Sequence, residues 1–214
     1  MIKILQSIST GKSLLRTLLY QELKNWQIAG NVLDVGGGRN QDYLKLFRQD
    51  NSIKLVTVDL LPAGQETTQL DLEKDPLPNI DSSIDTVILL NVLEHIYNHR
   101  FLLAEINRVL VSGGKLIGFV PFLINYHPDP HDYFRYTEEA LKKLLTETHF
   151  KNIEIKKIGG GPFLVNYNMI MLSVPKIIRL LLYPIYAVLD SLFLKMRPKA
   201  RSRYPLGYLF IAAK

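Results

Sequence analysis

From residue 31 onward, short apolar runs rich in β-branched residues alternate with segments of helical periodicity. This alternation constrains the fold of the 214-residue chain more than any other feature. Parallel strands need long crossovers, and helices supply them, so the pattern predicts an α/β fold with a doubly wound, mostly parallel sheet. Runs at 31–35, 53–58, 67–70, 84–90, 115–120, around Ile153, Ile155 and Ile158, and at 207–213 predict seven strands. Helices are predicted over about 40–48, where Tyr43, Leu44 and Phe47 have helical spacing, and over about 100–110. Another opens after Thr137, an N-cap followed by Glu138 and Glu139, which favour the helix dipole. Ser112-Gly113-Gly114 reads as the turn before the fifth strand, and Pro121 as its stop.

Two stretches lie outside the alternation. Residues 10–28 predict an amphipathic helix with Leu15, Leu19, Leu23 and Trp26 on one face. Residues 162–203 separate the last two strands, where roughly 2 to 6 residues are usual. The organisation expected is one domain over 1–214, with a helical cap at 1–30, a cofactor-binding core at 31–160, an insertion at 162–203 and a final strand at 204–214.

Composition narrows the chemistry. With 47% hydrophobic and 21% charged residues the chain should bury a core without staples. It has no cysteine, which excludes disulfides, thiolate metal sites and cysteine nucleophiles. The first residues show no apolar run followed by a small-residue cleavage site, and a cytoplasmic protein is expected. The net charge is +6, but Lys195, Arg197, Lys199, Arg201 and Arg203 account for most of it, leaving a nearly neutral body. That distribution, with no groove-reading helix and no spaced aromatic platform, argues against nucleic acid as the partner.

The first strand runs into Asp34-Val35-Gly36-Gly37-Gly38. Glycines let the backbone approach a ligand, and a following helix would offer free N–H groups. Asp59 lies 21 residues after Gly38, at the end of the second strand, where an acid can accept ribose hydroxyls. An adenosine-containing cofactor is therefore expected. A dinucleotide loop would need a third glycine where Gln41 stands. Asp34 is out of place beside a pyrophosphate but suits an ammonium. The charge pattern favours S-adenosylmethionine, which carries a sulfonium and an ammonium and no phosphate.

These residues resemble the class I S-adenosylmethionine-dependent methyltransferases, particularly the small-molecule and glycan type, including bacterial methyltransferases associated with polysaccharide synthesis. The resemblance covers residues 31–160 and the final strand, and extends to Asn91-Val92-Leu93-Glu94-His95 and to Ser83-Ile84-Asp85-Thr86-Val87-Ile88. It implies a Rossmann-like fold whose last strand is antiparallel. It implies that Asp34, Gly36, Gly37 and Gly38 cradle the methionine part, and that Asp59 and Leu60 hold the ribose region. By the same resemblance Asp71 and Leu72 read the adenine, and the backbone near Asn91 meets the methionine end. Asn40 departs from the glycine many members carry there, and is tolerable as a helix cap.

After the fifth strand, residues 121–137 crowd titratable and aromatic side chains onto a loop stiffened by prolines. Methyl transfer to a hydroxyl needs alignment, exclusion of water and removal of one proton, a task suited to imidazole. His131 is the expected base and His127 the alternative. Asp132 would orient an imidazole or the acceptor, and Tyr126, Tyr133 and Arg135 would shape the acceptor pocket. Arg135 paired with Asp132 as a structural clamp is the competing reading. His95, at a helix start, reads as structural, and no metal is expected.

In the insertion, two helices are predicted, about 163–173 and 175–194, forming a hairpin over the acceptor site. Pro175, Pro184 and scattered charges argue against a bilayer span. An apolar hairpin followed by five cations suits the anionic inner face of a membrane, with a dimer interface or a plain lid as competing readings. The acceptor class expected is a sugar, a lipid-linked glycan or a hydrophobic small molecule. A nucleic-acid methyltransferase or binding protein, and a non-catalytic S-adenosylmethionine-binding module, are the alternatives.

Overall fold

A computed structural model describes residues 2–38, 41–50, 53–61, 67–171 and 173–214. In chain order the elements are α1 (Ile2–Ser9), α2 (Leu14–Leu23), β1 (Gln27–Ile28), β2 (Asn31–Val35), β3 (Arg48–Gln49), β4 (Lys54–Asp59), β5 (Thr67–Gln69) and β6 (Ile84–Leu90). Then follow α3 (His99–Val109), β7 (Leu110–Pro121), α4 (Glu138–Glu147), β8 (Lys151–Ile158), α5 (Pro162–Ile170), α6 (Lys176–Met196) and β9 (Gly207–Ala213). Two compact units result. One comprises Met1–Glu22, Pro121–Tyr126 and Lys157–Tyr208, the other Leu23–Val120, His127–Lys156 and Leu209–Lys214.

Seven strands form one sheet in the order β5-β4-β2-β6-β7-β9-β8. The pairs β5/β4, β4/β2, β2/β6 and β6/β7 are all parallel. Along β7 the partners in the last strand run backwards: Gly113 N–H donates to the Lys214 carbonyl, and Phe122 N–H to that of Leu206. β9 is therefore antiparallel to β7, and the sheet has the Rossmann-like arrangement the sequence predicts. Its central strands are apolar on both faces because both are covered: Val32, Leu33, Val87, Ile88, Leu116 and Ile117 are all inaccessible to solvent. α3 buries Leu102, Leu103, Ile106 and Val109, spaced as one helical stripe. At Gly118 a Cβ would fall 2.1 Å from the Phe210 ring, so the central strand needs glycine for β9 to seat its phenylalanine.

β2 lies between β4 and β6, the point at which strand order reverses. The loops leaving the carboxyl ends of these three strands diverge there and leave a crevice, which is where open α/β sheets bind ligands.

Three local expectations give way to tertiary structure. No α-helix covers 41–48: Leu44–Leu46 is a 3-10 turn, and β3 follows it. The reason is long-range pairing, since β3 runs parallel to β1 and Arg48 N–H donates to the Trp26 carbonyl. Arg39 and Asn40 lie outside the described residues. The helix expected over 10–28 is shortened to α2, Leu14–Leu23; Gly11, whose φ is +86°, separates it from α1, and Trp26 lies beyond it before β1. Ser112-Gly113-Gly114 is an irregularity inside the long β7, with a register shift between Ile84 and Thr86. As the helix expected over 175–194 requires, α6 runs through Pro184 unbroken. Thr137 does cap α4, accepting from the Ala140 N–H at 3.2 Å.

In the first unit α5 and α6 form the helical pair expected for the insertion. α6 buries Tyr183, Asp190 and Leu194 on one side. The opposite side exposes Ile177, Leu181, Ile185, Val188, Leu192 and Met196, spaced by three or four residues. By length and composition alone α6 is sufficient to cross a membrane.

Candidate active site

The glycine loop leaves β2 with Gly36 at φ +72° and Gly38 at φ +56°, backbone that L side chains rarely adopt. Space is as restrictive as conformation. A Cβ on Gly36 would meet Val92 at 2.3 Å, and one on Gly37 would meet the Asp34 carboxylate at 2.4 Å. The loop is thus bare backbone drawn against the strand ends.

Asp34 is almost wholly buried. Its Oδ2 accepts from the Tyr43 hydroxyl at 2.6 Å, while Oδ1 has no hydrogen-bond partner. Burial raises its pKa to about 7, partly opposed by the Tyr43 hydrogen bond and reinforced by Asp59. A buried, half-satisfied carboxylate beside a glycine loop is a receptor for a cation, and an amino-acid ammonium has the donors it lacks. At the end of β4, Asp59 accepts from Gly38 N–H at 2.8 Å and Leu61 N–H at 2.9 Å. Each carboxylate oxygen keeps a second lone pair for a ribose hydroxyl. Asp71 closes a local turn through Glu73 N–H and pairs with Lys74 at 2.8 Å, which lowers its pKa.

Gly36, Asp59, Leu60, Asp71, Leu72 and Asn91 line one cavity of about 260 Å³ within the second unit. His131 and Tyr133 line the same cavity, with His95. Asn91 holds φ +53° and donates its N–H to the Phe119 carbonyl at 3.0 Å, a strained position of the kind concentrated at binding sites. Asp34, Gly37 and Gly38 are not among the lining residues, but Gly38 is tied to the wall by its N–H bond to Asp59. The orphan carboxylate, the cradle no Cβ would fit and the ribose acid suit a cationic adenosine cofactor.

The acceptor-loop residues divide into two groups. His131 and Tyr133 face the cavity, their rings 5.2 Å apart. His127, Asp132 and Arg135 instead gather around Glu94. Arg135 grips Asp132 with both terminal nitrogens and donates to His127 Nδ1 at 3.3 Å, so it is the clamp of the competing reading. Arg135 holds the Asp132 pKa down at about 2. Asp132 also accepts the His127 backbone N–H at 2.9 Å, which fixes the loop between the two residues. The Glu94 carboxylate beside the His127 ring raises the His127 pKa against the opposing effect of burial. Tyr126 is exposed and belongs to the first unit.

Glu94 and His95 are the two residues of this region that sequence reasoning left without a role. Glu94 sits in the 3-10 turn Leu93–His95, and its backbone carbonyl accepts from Tyr133 N–H at 2.8 Å, tying the acceptor loop to the turn. The only sequence trace of this is the adjacent acid and imidazole at the end of Asn91-Val92-Leu93-Glu94-His95.

Residues 33–118 match the sequence model of a methyltransferase domain. Among solved structures, a SAM-dependent methyltransferase from Archaeoglobus fulgidus is similar at 17% identity and a TM-score of 0.59, over 92% of this chain and 93% of that one. The [4+2]-cyclase SpnF is similar at 16% identity and 0.59, over 93% and 81%. Phosphoethanolamine N-methyltransferase 2 from Haemonchus contortus, in complex with S-adenosyl-L-methionine, is similar at 16% and 0.57, over 92% of this chain but 52% of that one. No curated protein sequence matches the chain. At such identities the structural likeness establishes the fold alone. Asp34, the glycine loop, Asp59, Asp71 and Asn91 all fall inside the matched residues, 33–118, which are similar to a methyltransferase domain.

Proposed function

We propose that the protein methylates a hydroxyl oxygen on a sugar, a lipid-linked glycan or a hydrophobic small molecule, with His131 as general base. The observation supporting this reading is that His131 and Tyr133 line the same cavity as Gly36, Asp59 and Asn91. Bound S-adenosylmethionine supplies a methyl on a positively charged sulfur; the carbon–oxygen bond forms as the carbon–sulfur bond breaks and a neutral thioether leaves. The His131 imidazole takes the hydroxyl proton, so the acceptor oxygen attacks as an incipient alkoxide. Tyr133 packs against that ring and holds an apolar or sugar face beside it.

His131→Ala is expected to lower turnover by about 10²-fold or more while leaving S-adenosylmethionine affinity unchanged. The acceptor is first found by incubating the enzyme with methyl-labelled cofactor and soluble or membrane extracts. Turnover of that labelled product then tests the base, and near-normal rates in the variant remove His131 from the role.

A second reading concerns where the acceptor is met. The exposed stripe of α6 continues directly into Lys195, Arg197, Lys199, Arg201 and Arg203. A cavity of about 340 Å³ in the same unit is lined by Lys157, Lys199 and Arg201, among others. Apolar stripe and basic run together match an anionic membrane surface at the cytoplasmic face, each cation adding about 1 kcal/mol near the lipid. The expected result is flotation with phosphatidylglycerol vesicles at low salt, lost at high salt and weakened by Leu181→Glu. Failure to bind at low salt removes the membrane, and a dimer in solution then assigns the stripe to a second copy.

A further inference from the structure

The cluster around Glu94 has a feature that methyl transfer by itself does not require. Glu94 is fully buried, and neither carboxylate oxygen has a hydrogen-bond partner. Its Oε1 lies 3.6 Å from His95 Nε2 and 3.5 Å from His127 Nε2, too far for hydrogen bonds. Three ligand atoms, one from each side chain, lie within 4.8 Å of one another.

The tautomer of His95 sharpens the problem. Its Nδ1 is bonded to the His131 carbonyl, which can only accept, so Nδ1 carries the proton. In the neutral ring the Nε2 lone pair then faces a carboxylate oxygen. Two electron-rich atoms facing each other in a buried site are relieved by a proton or a metal ion between them.

The spacing has the right size for the metal ion. Ligands about 2.1 Å from a tetrahedral ion stand about 3.4 Å apart, close to the two nitrogen–oxygen separations observed. Two imidazoles and one carboxylate form the donor set of catalytic zinc and related divalent transition-metal sites, which keep further positions open. A supporting group stands behind one ligand as such sites need: the His131 carbonyl orients His95.

We propose that Glu94, His95 and His127 bind a divalent transition-metal ion. His95 belongs both to this cluster and to the cavity wall. The ion would act there as a Lewis acid, holding the acceptor oxygen and easing loss of its proton to His131. That role rests on the O-methylation reading, but the binding itself does not.

The test is a calorimetric titration of the chelator-stripped full chain with zinc chloride, repeated with cobalt(II) chloride and read by visible absorption. One ion per chain is expected, with affinity falling at least about 10-fold in both His127→Ala and Glu94→Gln. Titration with S-adenosylmethionine, run in parallel, checks folding: His127→Ala is expected to bind the cofactor as the parent does. Absence of stoichiometric binding of either metal, or equal metal binding by parent and His127→Ala, overturns the site. Metal binding without any metal effect on methyl transfer keeps the site and removes only its assigned role.

Discussion

Asp34→Asn is expected to raise the stability of the cofactor-free protein above pH 7 and to weaken S-adenosylmethionine binding. The folded-state pKa of Asp34, about 7, lies above its ordinary value of 3.8 because burial disfavours the charged form. The folded chain therefore holds a proton that the unfolded chain releases between those values. Stability from this group is complete below pH 4 and is lost as pH rises through about 7. Asparagine remains neutral throughout and keeps an oxygen for the Tyr43 hydroxyl, so above pH 7 it removes a penalty on the order of a few kcal/mol.

The same substitution would remove the charge expected, from the buried orphan oxygen of Asp34, to receive the cofactor's ammonium. A charge-assisted hydrogen bond contributes about 1.5 to 3 kcal/mol, so affinity should fall about 10- to 100-fold. In the parent, affinity should rise with pH through about 7 as Asp34 ionises, and in the variant that rise should vanish. Thermal unfolding and cofactor titration at pH 6 and pH 8 measure both effects. Parent-like binding by the variant at pH 8 would remove Asp34 from the cofactor site.

The second large effect is expected at Asp190. This carboxylate, buried on the inward side of α6, accepts from Gly161 N–H at 2.7 Å, Phe163 N–H at 3.0 Å and Leu164 N–H at 3.2 Å. Those are the free donors at the start of α5, where the helix dipole also favours an anion. Gly160 and Gly161 make the approach possible, since a Cβ on either would lie within 2.8 Å of the carboxylate. One acid thus joins the two helices of the insertion. Asp190→Ala strands one buried and two part-buried donors and should cost about 3 kcal/mol. Asp190→Asn keeps one acceptor oxygen and should fall between. Hydrogen exchange at Gly161, Phe163 and Leu164, read with thermal unfolding, checks this, and unchanged protection of those amides in the alanine variant rules it out.

Asp190 also shows where sequence reading stops. The hairpin was legible: apolar periodicity between two prolines predicts α5 and α6 to within a few residues. Asp190 itself reads only as an interruption in an apolar run, because its partners lie 26 to 29 residues away. The expected helix over 40–48 failed for the same reason. Tyr43, Leu44 and Phe47 do have helical spacing, but Arg48 and Gln49 pair with Gln27 and Ile28, and local propensity yields to that distant strand.

The candidate site divides along the same line. Asp34, the glycine loop and Asp59 were expected from their places at the ends of apolar, β-branched runs, and Asp71 and Asn91 from the family resemblance alone. Once the strands are ordered, those ends have to meet at one edge of the sheet. Glu94, His95 and His127 carry no such mark. An acid and an imidazole in a turn, with another imidazole 32 residues further on, become a ligand set only when the acceptor loop folds back and Tyr133 bonds to the Glu94 carbonyl. The sequence by itself determined the sheet and the cofactor edge, since burial on both faces writes a strand directly into local composition. Only the tertiary structure decided what surrounds Glu94, because the burial and spacing of a carboxylate are set by whatever the rest of the chain packs against it.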